Sequence, residues 1–154
     1  MNSAERHPDP VVRRLGPADL EVAGQTLRLM TSVFEEPADK LSARYVDTLL
    51  ARTDFWLIAA LQDGVPIGGL TAHALPMTRN ESRELFIYDL AVDAVHQRRG
   101  VGRALVLTAC ALAASEGIRV SFVPADDEDD HAIAFYRAIG GEGAPVTIFT
   151  FTAD

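Results

Sequence analysis

Residues Tyr88 to Leu107 read YDLAVDAVHQRRGVGRALVL. An apolar, strand-like run from Leu85 to Val92 passes into a polar turn, and a helix-like segment follows. The turn is Gln97-Arg98-Arg99-Gly100-Val101-Gly102. Gly100 and Gly102 permit positive φ or close backbone approach, so the N–H groups from about Arg98 to Arg103 can converge on an anion at a helix N-terminus. Arg98 and Arg99 add phosphate-pairing charge. Two neighbouring motifs do not fit. A P-loop closes on Gly-Lys-Ser/Thr, whereas this turn continues Gly102-Arg103-Ala104. A Rossmann fingerprint needs a third glycine, and Leu105 stands there. The turn is expected to cradle a pyrophosphate.

Outward from this turn, the chain alternates strand and helix signals. Val11 to Leu15 predicts a short strand, broken by Gly16-Pro17. Asp19 is a candidate cap for a helix to about Phe34, with Leu20, Ala23, Leu27 and Met30 at helical spacing. A second helix is expected from Ser42 to Arg52, with Tyr45, Leu49 and Leu50 on one face. Phe55 to Leu61 and Val65 to Leu75 flank Asp63-Gly64, a strong hairpin signal. Gly68-Gly69 is expected to loosen the second of these strands. Glu84 to Val92 is the third strand of the meander. Gly102 to Glu116 reads as a helix stopped by Gly117, and Ile118 to Val123 as a buried strand that completes a parallel crossover. Ala132 to Ile139 predicts a helix stopped by Gly140-Gly141, and Val146 to Thr152 a terminal strand. The fold class is mixed α/β (α+β), with about four helices on a largely antiparallel sheet. Residues 1–9 are expected to be a loose tail and 10–154 a single domain.

Composition narrows the function. Hydrophobic residues make up 48% of the 154 and charged residues 23%, a balance that supports a packed core. No apolar run approaches the roughly 20 residues of a membrane span, and the polar start MNSAERHPDP lacks a signal-peptide h-region. The single Cys110 excludes an intrachain disulfide and points to a reducing, cytoplasmic setting. A net charge of −8 argues against general nucleic-acid binding and favours a cationic small molecule. His73, His96 and His131 follow no triad or zinc pattern. The acids from Asp126 do not form an EF-hand, because His131 and Arg137 occupy the positions that need Gly and Glu. No metal site is expected.

LAVDAVHQRRGVGRALV resembles the acetyl-CoA motif of the GNAT superfamily of N-acetyltransferases. Asp129-x-x-Ala132-x-x-Phe135-Tyr136-x-x-x-Gly140 resembles the superfamily's second motif, with Asp129 in place of the common Asn and Gly141 in place of the common Phe. The resemblance covers about residues 10–152. It implies acetyl-CoA as cofactor. Backbone groups of Leu90, Ala91 and Val92 would pair with pantetheine, and Gln97, Arg98, Arg99, Gly100, Val101, Gly102 and Arg103 would hold pyrophosphate. Ala132, Phe135 and Tyr136 would lie along the pantetheine and thioester. The cofactor would enter between two splayed parallel strands, and Tyr136 would protonate the departing thiolate.

Phe86-Ile87-Tyr88-Asp89-Leu90-Ala91-Val92, followed by Ala125-Asp126-x-x-Asp129-Asp130-x-Ala132, is similar to the GNAT-type aminoglycoside 3-N-acetyltransferases. That similarity implies acetylation of the 3-amino group of an aminoglycoside, and hence antibiotic resistance. An aminoglycoside is a polycation and needs carboxylates facing one cleft. The candidates are Glu35, Glu36, Asp89, Asp126, Asp127, Asp129 and Asp130, with Tyr88 beside them. Transfer needs a neutral amine, and Asp89 is the first candidate base, directly or through water; it could instead only orient the ammonium. The expected route is direct attack in a ternary complex, and Cys110, on an apolar helix face, is not expected to carry the acyl group. The alternatives are another cationic amine, such as a polyamine, or an acetyl-CoA-binding module without catalysis. The apolar terminal strand could pair between subunits as a homodimer.

Overall fold

The computed structural model describes residues 8–154, so most of the expected 1–9 tail lies outside the described residues. The chain divides into two compact units, one ending at Val123 and one beginning at Pro124. The first carries a five-stranded sheet in the order β1-β2-β3-β4-β5: β1 Val11–Arg14, β2 Phe55–Gln62, β3 Val65–Pro76, β4 Arg83–Val92 and β5 Ser121–Phe122. The first four strands pair antiparallel, and β5 joins β4 in parallel. Helices α1 (Leu20–Phe34) and α2 (Ala43–Leu50) precede β2, and α3 (Val101–Ser115) connects β4 to β5.

The hairpin between β2 and β3 turns on Asp63 (φ 50°) and Gly64 (φ 79°), two successive left-handed residues that match the sheet's twist. β2 is buried almost throughout, because helices cover both faces of the sheet. Gly68 and Gly69 mark the tightest approach. A Cβ on Gly69 would lie 2.7 Å from Met30 Sδ and Thr26 Cγ2 of α1. One on Gly68 would meet Val101 and Leu105 of α3 at 3.3 Å. The glycine pair therefore does not loosen β3; it lets α1 and α3 press on the sheet from opposite sides.

Three local expectations change. Asp19 does not cap α1 with its side chain; its carboxylate accepts from Gly16 N–H (2.8 Å) and pairs with Arg13 (2.9 Å), closing the preceding 3-10 turn. Ser42 does cap α2, its hydroxyl accepting from Tyr45 N–H at 3.1 Å, but the helix buries Val46 and Leu50 and leaves Tyr45 exposed. β5 is two residues long rather than Ile118 to Val123. Its ladder is Leu85↔Ser121 and Phe86↔Phe122, beginning where Leu85 N–H donates to Val120 C=O and ending where β4 bulges.

The second unit, Pro124–Asp154, contains α4 (Asp130–Ala138). The expected terminal strand from Val146 to Thr152 does not form. β-branched and aromatic residues favour a strand only against a partner, and residues 124–154 contain no other strand. Val146 and Phe151 are accordingly 71% and 93% exposed.

Candidate functional site

The turn after β4 is built from backbone bonds. Asp93 N–H donates to Ile67 C=O at 2.9 Å, and His96 N–H to Asp93 C=O at 2.8 Å. Gln97 Nε2 reaches back to Val92 C=O at 3.0 Å, so this side chain fixes the turn. Gly100 takes the left-handed conformation (φ 82°), as expected, but Gly102 does not; Arg98 (φ 61°) is the turn's other positive-φ residue. Gly102 is instead the second residue of α3. The first helical bond from the cap runs from Ala104 N–H to Gly100 C=O (3.0 Å), so the N–H groups of Val101, Gly102 and Arg103 have no intrahelical acceptor. Arg98, Arg99 and Arg103 are exposed, and no ion pair among the described residues engages them. Free amides, a helix dipole and unpaired guanidinium groups suit a diphosphate.

β4 supplies a second feature. β3 pairs with it through Val92 on one side, but β5 accompanies it only to Phe86 on the other. Leu90, Ala91 and Val92 thus stand on a strand edge with no partner strand on that side, suited to an extended, amide-bearing ligand. The two strands are parallel and stay paired over two positions only, which matches the expected splay.

Between paired and unpaired stretches, Thr71 of β3 pairs with Asp89 and Ala72 with Ile87, leaving Tyr88 as the extra residue of a β-bulge. Asp89 and Ala91 then share the sheet face that carries Gly69 and α1. Asp89 is half-buried, with Thr71 Oγ1 at 3.4 Å from its Oδ2. Burial pushes its pKa above the usual carboxylate range, and the like charge of Glu36 pushes the same way; the Thr71 bond and His73 oppose them. Glu35 is the exposed, left-handed residue (φ 54°) that ends α1.

The sequence reading missed the ring cluster around Asp89. His73 packs between Phe55 (5.6 Å) and Tyr88 (5.9 Å). Phe86 meets Tyr88 edge-on at 5.5 Å and stacks on Phe122 at 5.0 Å. These residues come from four strands, so only the cross-strand register brings them together. The alternation Phe86-x-Tyr88 was the one local signal.

In the second unit, the acidic loop spends much of its polarity on itself. Asp126 Oδ1 accepts from Glu128 N–H and Asp126 C=O from Asp129 N–H, at 3.0 and 2.9 Å. Asp129 Oδ1 accepts from Ala132 N–H at 3.0 Å and so caps α4, a task Asp and Asn perform equally well. Asp127 and Asp130 are exposed. Phe135 and Tyr136 contact edge-to-face at 5.0 Å. Burial, and then the Asp129 charge, raise the pKa of Tyr136, so its hydroxyl stays protonated at neutral pH. Gly140 N–H donates to Arg137 C=O and Gly141 N–H to Tyr136 C=O, at 3.1 and 2.8 Å, which closes the helix with Gly140 left-handed (φ 101°). A Cβ on Gly141 would lie 2.9 Å from Tyr136 O, so glycine suits this cap where the superfamily's common Phe would not.

Among the described residues, no helix is long and apolar enough to cross a membrane, and no His, Cys, Asp or Glu group could hold a metal ion. A search of curated proteins finds no match. Among solved structures, an aminoglycoside acetyltransferase, meta-AAC0020, from an uncultured soil metagenomic sample is 32% identical (TM-score 0.90), with 94% of this chain and 97% of that one covered. The same protein has been solved in complex with sisomicin. A second soil-metagenome aminoglycoside acetyltransferase, HMB0005, is 31% identical with a TM-score of 0.86, covering 95% of this chain and 100% of that one. The aminoglycoside N-acetyltransferase AAC(6')-Iy shares the fold at 19% identity and a TM-score of 0.80, over 96% of this chain and 100% of that one. The model of the Acetyltransferase (GNAT) family matches residues 25–140, and the chain belongs to that family.

Proposed function

We propose that this acetyltransferase uses acetyl-CoA to acetylate the 3-amino group of aminoglycosides, by direct attack in a ternary complex, and so confers resistance. The observation that carries the reading is the half-buried Asp89 with Glu36 acting on it, at the bulge beside the unpaired edge of β4. Two carboxylates at the reacting end of a cofactor groove suit a polycationic amine. The full-length likeness to aminoglycoside acetyltransferases, one of them solved with sisomicin, supports the same substrate class.

The residues that would hold acetyl-CoA are Gln97 to Arg103 for its pyrophosphate and Leu90, Ala91 and Val92 for its pantetheine. When bound, it supplies an activated acyl group. Asp89 holds the substrate ammonium and takes its proton, directly or through water, and its raised pKa makes it a better acceptor than an ordinary aspartate. Backbone N–H groups on the free edge of β4 would stabilise negative charge on an acyl oxygen held there. Tyr136, protonated at neutral pH, would be the proton donor for the thiolate that leaves. Exposed Asp127 and Asp130 attract the remaining ammonium groups, with Glu35 at the end of α1 doing the same. The enzyme works in the cytoplasm, and its apolar Val146–Phe151 segment pairs with a second copy.

An acetyl-CoA assay with sisomicin, gentamicin, kanamycin, spermidine and a lysine peptide tests the reading. Turnover of the aminoglycosides is expected, with NMR of the product placing the acetyl group on the 3-amino nitrogen. A 6′ product would overturn the regiochemistry alone. Turnover of spermidine but of no aminoglycoside would establish a polyamine enzyme, and binding of acetyl-CoA without turnover a non-catalytic module.

A further inference from the structure

The ring cluster beside Asp89 has no role in the chemistry above. Tyr88 is 61% exposed and Phe122 39%, although each lies on a strand, Tyr88 at the bulge of β4 and Phe122 at the end of the edge strand β5. Exposed aromatic rings beside a carboxylate offer a surface that a cationic ligand can cover. Phe86 and Phe122 lie nearly parallel (5°), with ring centres 5.0 Å apart. Tyr88 stands edge-on to Phe86 (69°) and to His73 (83°), and His73 is braced on its far side by Phe55. Tyr88 is thus held upright from two directions while much of its ring remains free.

The bulge gives this ring a particular neighbour. Asp89 follows Tyr88 directly, faces the α1 side, and is within electrostatic reach of Glu36. A ligand lying on Tyr88 would place one edge against the Asp89 carboxylate. The complementary chemistry is a ring with an apolar C–H face and ammonium groups on its rim. The C–H face and the ammonium charge are both attracted to the negative face of an aromatic ring. An acyclic polyamine offers the charge but no flat face. We infer that the Tyr88 ring, held by Phe86 and His73, is a stacking platform for an aminated sugar or cyclitol ring, with Phe122 set at a steep angle to it as an apolar side wall, and that it selects cyclic over acyclic amines. The inference rests on the proposed aminoglycoside activity and adds the part of the site that recognises the ring itself.

Steady-state kinetics of Tyr88→Leu, Tyr88→Phe and Phe122→Leu with sisomicin test it, alongside melting curves. Tyr88→Leu keeps apolar bulk but removes the π face, and should raise the sisomicin KM about tenfold. The acetyl-CoA KM and the melting temperature should stay at wild-type values. Tyr88→Phe keeps the ring and should keep the KM, whereas Phe122→Leu should raise it by a smaller factor. A wild-type sisomicin KM in both Leu variants would overturn the platform and leave the proposed activity standing. A Tyr88→Phe variant as impaired as Tyr88→Leu would assign the effect to the hydroxyl and overturn stacking. Absence of sisomicin turnover by the wild-type enzyme would remove the proposed activity, and the platform with it.

Discussion

The turn from Asp93 to Gly100 and the loop from Pro124 to Asp129 each feed a helix, and each looked polar and functional in the sequence. In the first, side chains serve the backbone: Gln97 ties the turn to Val92, and the amides at the start of α3 are left free. In the second, the backbone is served as well, but the donors are consumed. Asp126 and Asp129 satisfy the amides of Glu128 and Ala132, and the first turn of α4 is already capped. One helix start is therefore open to an anion, and the other is closed by the chain's own carboxylate. A run of charge says less about binding than whether nearby backbone groups already have partners.

That contrast can be broken by substitution. The largest effect is expected on the helix behind the closed loop. Tyr136→Phe should lower kcat by about 100-fold, the lower range for loss of a general acid, with the acetyl-CoA KM changed by less than about twofold. A near-normal kcat would remove Tyr136 from proton transfer. Next comes the open helix start. Gly100→Val forces a β-branched residue into the left-handed region and should raise the acetyl-CoA KM about tenfold, with about 1–2 kcal/mol lost from stability. Isothermal titration with CoA and a denaturation curve would separate the two effects.

Asp129 sharpens the comparison, because its cap and its charge can be separated. Asp129→Ala should cost about 1 kcal/mol in a denaturation experiment, whereas Asp129→Asn should cost almost nothing. If Asn also leaves the substrate KM unchanged, the residue is a cap only; a raised KM would restore its charge to the binding site. The smallest effect concerns pH. Asp89 must be ionised to accept a proton, so activity falls as pH drops through its raised pKa. Glu36→Gln removes a like charge and should move the acid limb of kcat/KM to lower pH. Thr71→Val removes a bond to the carboxylate and should move it to higher pH. Opposite shifts in the two variants would identify Asp89 as the titrating group, and an unmoved limb in both would exclude it.

Much of this was legible from local sequence. Asp63-Gly64, Gly117 and Gly140-Gly141 each sit where the backbone needs their conformational range, and local chemistry alone could place them. The turn after β4 was legible for the same reason, although Gly102 turned out helical and Arg98 took the second positive φ. Features that depend on pairing were not. Gly68 and Gly69 looked like a weak point until the helices on either side were in place. Val146 to Thr152 has the composition of a strand and no strand within its own unit to join. His73 joins the aromatic cluster only through its register opposite Phe86.

The extra residue at Tyr88 has a consequence for the phase of β4. Before it, the odd-numbered Leu85 and Ile87 point toward α3; after it, the even-numbered Leu90 and Val92 do so. The strand is in effect two alternating patterns joined half a period out of step. A pattern read straight through would bury Asp89 with Ile87 and turn Leu90 toward the cleft. By absorbing Tyr88, the bulge keeps Asp89 opposite Thr71 on the α1 side. Deleting Tyr88 alone would remove the bulge and join Ile87 to Asp89 in regular alternation, so that Asp89 stays opposite Thr71, Leu90 keeps its face, and only the Tyr88 ring is lost.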